Sequence, residues 1–146
     1  MVGIVVIGHG GLALALVETA IQIVGEIEAI KGIDFLPHEG KEKLLGKIIE
    51  AIKEVDKGQG AILLTDLFGG CCCNVSASLS TRYPVKVISG VNLSMLLEVI
   101  FHRESPLEEL ESLAVKGGMR GIVDVCKGLD RLSKKRRESE PPFGPH

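Results

Sequence analysis

The segment "VGIVVI" at residues 2–7 constrains the fold more than any other stretch, because it is continuous, apolar and mostly β-branched, with no polar alternation. A strand of this kind is buried on both faces, as in a parallel sheet covered by helices on each side. "GAILLTD" at 60–66 repeats the pattern, and "GIDFLP" (32–37) and "PVKVISG" (84–90) are further strands. Helical periodicity fills the intervals. Leu12, Leu16, Ala20, Ile23 and Ile27 recur at i+3 and i+4, and Leu45, Ile48, Ile52 and Val55 form a stripe in "GKEKLLGKIIEAIKEVDKG". "VSASLSTRY" and "VNLSMLLEVIFHR" read as helices of small and of apolar residues. In "SPLEELESLAVKGG" a capping box is predicted, with Ser105 as cap, Pro106 at the first helical position and Glu108 closing the box. "RGIVDVCKG" (120–128) is a candidate last strand. Alternating strands and helices predict a three-layer α/β/α fold with a mostly parallel sheet, in strand order 2-1-3-4.

The 146 residues fit one domain. Aromatics are 3% of the chain, tryptophan is absent and the net charge is −2, which argues against nucleic-acid binding by stacking or by a basic footprint. No apolar run reaches the roughly 18 residues that span a bilayer. No basic region precedes the N-terminal apolar run, so a cytoplasmic location without a signal peptide is expected, with the four cysteines reduced. From residue 134 the composition turns to "KKRRESEPPFGPH", which predicts a domain over 1–133 and a flexible tail over 134–146.

Ligands of such sheets bind beyond the carboxyl ends of the strands, where the strand order switches. In order 2-1-3-4 that point lies between the first strand, ending at His9, and the third, ending at Asp66. Gly8, Gly10 and Gly11 clear space around His9, and the helix that follows offers free amides to an anion. A neutral imidazole there is a competent nucleophile, although a histidine in a glycine loop also serves as a simple helix cap. Asp66 is either the partner that fixes the imidazole tautomer or an ordinary strand-end cap. Gly69 and Gly70 in "FGGCCCN" predict an amide nest, so two helix N-termini are expected to converge on one phosphoryl-sized site.

Other readings compete with this one. "GHGGLA" fits the dinucleotide pattern G-x-G-x-x-G/A, but Asp34 falls inside the second strand rather than closing it, and His9 would crowd a pyrophosphate. Cys71, Cys72 and Cys73 are consecutive, which suits packing better than zinc chelation or a C-x-x-C redox motif, so no metal is expected. A thiol at a helix N-terminus can nevertheless have a lowered pKa. His38 could border the crevice, while His102, four residues after Glu98, and His146 read as structural or solvated.

"GIVVIGHGGLALALVETAIQIVGE", "IDFLPHEG", "LLTDLFGGCCCNVSAS" and "VISGVNLSMLLE" together resemble the signature blocks of the mannose-family enzyme IIA domains of the bacterial phosphoenolpyruvate:sugar phosphotransferase system, over about residues 1–128. The resemblance implies a phosphoryl carrier without a cofactor. His9 would take phosphate from the histidine-containing phosphocarrier protein and pass it to a IIB component for sugar uptake. Asp66 would stand beside it, Gly10, Gly11, Phe68, Gly69, Gly70, Cys71 and Cys72 on the phosphate side, and Asn92 near the site. It also implies a homodimer, with "RGIVDVC" as a candidate antiparallel edge strand exchanged between subunits, and contact with a membrane only through a transporter. Cys71 and Cys72 stand where the family has serine or threonine followed by proline, and Ser94 where proline is usual, so transfer is expected to survive at a lower rate. The same blocks suit a regulatory phosphoprotein or a donor to a dihydroxyacetone kinase, and a nucleotide-binding or redox module is the distant alternative. Leu12, Phe68 and Met95 are expected to form an apolar docking rim.

Overall fold

The structure, a computed structural model, describes residues 1–139, with side chains through 136. Four strands, β1 (Gly3–His9), β2 (Ile30–Phe35), β3 (Ala61–Thr65) and β4 (Val85–Ser89), form one parallel sheet in the order β2-β1-β3-β4. The helices are α1 (Leu12–Val24), α2 (Lys41–Val55), α3 (Cys71–Ser78), α4 (Leu93–Phe101), α5 (Leu107–Arg120) and α6 (Val125–Ser139). The expected α/β fold and strand order are both observed.

Successive strand residues point to opposite faces, and β1 divides accordingly. Val2, Ile4 and Val6 join Ala13, Val17, Ala20, Leu96, Val99 and Leu110 in the core under α1, α4 and α5. Val5 and Ile7 join Leu44, Ile48, Ile52, Val55, Cys72 and Leu79 in the core under α2 and α3. The buried line of α1 is Ala13, Val17 and Ala20, whereas Leu12 and Ile23, expected inside, are exposed. Small residues let α1 lie directly on β2: a Cβ on Gly32 would come within 3.1 Å of the Ala13 carbonyl oxygen and of Leu14 Cα. Helix α2 buries Leu44, with Leu45 only partly buried.

Arg103, after α4, is buried at the amino edge of the sheet. Its guanidinium donates to the carbonyls of Val2 (3.0 and 2.9 Å), Ala29 (2.8 Å) and Glu28. Burial pushes its pKa down, and the carbonyls of three backbone groups take the place of a carboxylate.

Two expectations are corrected. Helix α5 starts at Leu107 with no side-chain cap; Pro106 restrains Ser105 to extended or turn backbone, and the Ser105 N–H donates to the His102 carbonyl instead. Residues 120–128 form no strand in this chain. Asp124 accepts from the Lys127 N–H at 3.1 Å, as an N-cap does, and α6 begins at Val125. Helix α6 runs on through residues 134–139, the first part of the segment expected as a tail. Residues 140–146, with His146 and the remainder of that expected tail, lie outside the described residues.

Candidate functional site

His9 is the last residue of β1 and Asp66 follows the last residue of β3, and the pairing of these strands sets the two side by side at the carboxyl edge of the sheet. Asp66 Oδ2 accepts two hydrogen bonds from the same residue, one from the His9 backbone N–H and one from His9 Nδ1, both at 2.8 Å. The first fixes the carboxylate to the chain, and the second assigns the ring proton to Nδ1. Nε2 then keeps its lone pair, on a ring 48% exposed. Burial pushes the Asp66 carboxyl up, but the backbone and side-chain hydrogen bonds from His9 outweigh it and hold the group below the ordinary carboxylate range. Asp66 is therefore an anion wherever the protein is folded near neutral pH.

Other groups fix the imidazole plane. The Phe35 ring meets it edge-to-face at 5.7 Å, because His9 and Phe35 are register partners across β1 and β2. A Cβ on Gly70 would stand 3.5 Å from His9 Cε1, so the glycine lets the β3–α3 loop lie close to the ring. Cys72 Sγ lies 3.8 Å from Nδ1 on the inner side.

The β3–α3 loop turns at Gly69 with φ +78°, and Gly70 caps α3 by backbone alone. The Gly70 N–H donates to the Leu67 carbonyl and the Asn74 N–H to the Gly70 carbonyl. By helix geometry, the amides of Cys71, Cys72 and Cys73 then have no intrahelical acceptor and present the positive end of the α3 dipole beside His9. Phe68 is 87% exposed at the tip of this loop.

The second expected amide cradle, on α1, is partly engaged. Asp34 Oδ1 accepts from the Leu14 N–H at 3.1 Å, and the Gly10 N–H donates to the Phe35 carbonyl. Gly10, at φ +59°, and Gly11, the cap of α1, shape the turn. Asp34 occupies the helix end where a dinucleotide phosphate would sit, which disfavours that reading. Asn92 lies in the loop after β4, where Oδ1 accepts from the Met95 N–H at 2.8 Å and Nδ2 donates to the Gly118 carbonyl at 3.0 Å. It caps α4 and ties it to α5. Met95, expected on the rim, is buried, while Leu12, Leu36 and Leu67 are exposed with Phe68 in loops or helix starts at the carboxyl edge. His38 is exposed in the β2–α2 turn, and His102 Nδ1 lies 2.9 Å from the Glu98 carbonyl oxygen at the end of α4.

Asp34 and Phe35 contribute to the site, yet sequence reasoning singled out neither for it. Strand register pairs Phe35 with His9, and a residue-by-residue alignment of the two strands would have found it. Cys72 is quiet: burial, followed by the negative charge of Asp66, pushes its thiol up to about 12, so it is neutral at physiological pH.

A carboxylate-held histidine at the switch point of a parallel α/β sheet, beside an open helix N-terminus, defines the class: an α/β domain with an accessible imidazole next to an anion-binding helix end. The model of the family described as "PTS system fructose IIA component" matches residues 3–114, and the chain belongs to that family. It is 34% identical to the "PTS system mannose-specific EIIAB component" of Escherichia coli (strain K12), over 99% of this chain and 46% of that protein. It is 40% identical to the "PTS system sorbose-specific EIIA component" of Lacticaseibacillus casei, over 66% of this chain and 70% of the relative. Phosphotransferase system component EIIA from Streptococcus agalactiae, solved by crystallography, superposes with a TM-score of 0.80 at 29% identity, covering 87% of this chain and 99% of that one. The chain thus spans about half the length of the mannose-specific relative. Among the described residues no helix is long and apolar enough to cross a membrane.

Proposed function

We propose that the protein is a phosphoryl carrier of a sugar phosphotransferase system, taking phosphate on His9 from the histidine-containing phosphocarrier protein and passing it to a IIB component for sugar uptake. The observation that carries this is the double acceptance by Asp66 Oδ2, which leaves His9 Nε2 as the reactive nitrogen. Nε2 attacks the phosphorus of the donor's phosphohistidine; the new N–P bond forms as the donor's breaks, and the donor imidazole departs. The His9 ring becomes cationic as it takes phosphate, and the adjacent carboxylate balances that charge. The α3 amides of Cys71, Cys72 and Cys73, with the loop around Gly69 and Gly70, stabilise the equatorial oxygens. A backbone cradle tolerates the thiols at Cys71 and Cys72, because the amides do the binding.

The exposed ring and the rim of Leu12, Leu36, Leu67 and Phe68 suit two protein partners that dock in turn. The E. coli relative is named an EIIAB component and this chain spans 46% of it, which supports a IIB partner. Val125, Leu129 and Leu132 recur at i+4 and i+3 along α6 and are all exposed, as is the preceding pair Ile122 and Val123. Such a face calls for a partner surface, and we assign it to a homodimer, measurable by light scattering coupled to size exclusion. The working compartment in this reading is the cytoplasm.

Incubation with phosphoenolpyruvate, enzyme I and the phosphocarrier should add one acid-labile phosphate per chain, and His9→Ala should remove it. Label that persists in His9→Ala sinks the assignment.

A further inference from the structure

Three atoms of metal-ligand type converge on the inner side of the His9 ring. Asp66 Oδ2 lies 2.8 Å and Cys72 Sγ 3.8 Å from Nδ1, and all three lie within 4.8 Å of one another. Among the described residues no other group of three His, Cys, Asp or Glu side chains does this. Two observations separate the cluster from an ordinary histidine–carboxylate pair. The Cys72 sulfur is fully buried and faces an imidazole rather than only apolar neighbours. The Asp66 side chain is only 10% exposed, and its Oδ1 is buried with no hydrogen-bond partner.

From this we infer that His9 Nδ1, Asp66 and Cys72 bind a thiophilic divalent cation of the zinc class, and that its occupancy switches His9 off as a phosphate acceptor. The second half rests on the phosphocarrier reading; the first does not. Tetrahedral zinc, at about 2.0–2.1 Å from N and O and 2.3 Å from S, sets its ligand atoms about 3.3–3.8 Å apart. The Nδ1–Sγ separation already meets that spacing, and Nδ1–Oδ2 needs to open by only about half an ångström once a metal replaces the bridging proton. One carboxylate and one thiolate neutralise the cation's charge, and imidazole, thiolate and carboxylate are all within zinc's repertoire.

The proton balance makes the cation a switch. Cys72 gives its proton to solvent on binding. The proton on Nδ1 moves to Nε2, so the ring stays neutral while Nε2 loses its lone pair and cannot attack phosphorus. Metal on Nδ1 and a nucleophilic Nε2 are mutually exclusive states of one imidazole.

Cobalt(II) titration of the full chain under reducing conditions at pH 8 is the direct test. The expected result is one cobalt per chain, with a near-ultraviolet thiolate-to-cobalt charge-transfer band and zinc displacing the cobalt. Cys72→Ser should lose the band, and His9→Gln and Asp66→Asn should each weaken binding at least tenfold. Cys71→Ser, Cys73→Ser and Cys126→Ser should keep the band. A band that persists in Cys72→Ser, wild-type affinity in both His9→Gln and Asp66→Asn, or the lack of stoichiometric binding in the wild type overturns the site. His9→Gln, at a half-exposed ring, keeps the test decisive if Cys72→Ser folds poorly. For the switch, one equivalent of zinc should suppress His9 labelling at least tenfold in the wild type and leave the ratio of labelling with and without zinc near one in Cys72→Ser; equal ratios in the two proteins overturn it. Absence of labelling without zinc would count against the carrier reading and leave the cobalt spectrum to judge the metal site.

Discussion

Asp66→Asn separates the charge of the carboxylate from its geometry. Oδ2 takes both hydrogen bonds from His9, whereas Oδ1 is buried with no hydrogen-bond partner. An asparagine can therefore place its carbonyl oxygen where Oδ2 stands and keep both bonds, with its NH2 in the site of Oδ1. The opposite flip would aim NH2 at two donors and is excluded. The Nδ1–H tautomer survives and the negative charge does not. A full charge pair about 4 Å apart at an effective dielectric of about 20 is worth about 4 kcal/mol. The ring holds only part of its positive charge in a loose transition state, so about half of that, ~2 kcal/mol, is lost from the barrier. The expected drop in transfer rate is about 30-fold. Asp66→Ala removes the acceptor as well, frees the ring proton to sit on Nε2, and should cost roughly a further ten- to hundredfold. Rapid-quench measurement of acid-labile label from the phosphocarrier, with folding checked by thermal melting, gives both rates. Transfer by Asp66→Asn at the wild-type rate would refute the charge argument. Asparagine no better than alanine would refute the geometric one.

Three further outcomes are expected. Arg103→Met should lower unfolding free energy by about 3 kcal/mol in denaturant titration, because it orphans buried carbonyls that now accept from a cation, offset in part by relief from burying the charge. The folded pKa of Asp66 lies below its ordinary 3.8, so its contribution to stability is present above that value and is lost as the pH falls through the folded pKa. Denaturation midpoints measured from pH 6 down to 2 should therefore decline less steeply in Asp66→Asn than in the wild type. With iodoacetamide at pH 7.5 the exposed Cys126 should react first and the buried Cys72 last, read by peptide mass spectrometry.

The sheet was legible because buried parallel strands are runs of apolar β-branched residues, and "VGIVVI" and "GAILLTD" admit little else. His9 and Asp66 were legible because strand order and strand ends are chain-level properties. The details that failed depend on packing or on a rival local bond. Periodicity prefers large residues and put Leu12 on the inner face of α1, but the α1 backbone lies directly over Gly32 and the inner line is Ala13, Val17 and Ala20. "RGIVDVC" has the composition of a strand, yet one aspartate, Asp124, caps a helix there. Pro106 matched a helix start but displaced the cap that Ser105 would have made. Each miss is a place where one side chain outweighs the average tendency of its segment.

The glycine loop around His9 illustrates the same point at the site. "GHGGLA" satisfies the spacing of a dinucleotide cradle, and an acidic residue stands twenty positions beyond Leu14. Asp34, however, bonds the Leu14 amide, and the Gly10 amide is bonded to Phe35, so two of the donors that a pyrophosphate would need are taken and a carboxylate stands at this helix end. In the proposed function the anion-holding helix end is that of α3, where the cap is a glycine and the first three amides have no acceptor within the helix. Two open helix ends would bind phosphate tightly from both sides and slow its departure. One open end beside a carboxylate-held imidazole stabilises the transferring group while leaving the opposite side free. In the proposed carrier, which must both accept and release phosphate, that asymmetry is an advantage, and the Asp34 carboxylate at the start of α1 contributes to it by repelling an anion there.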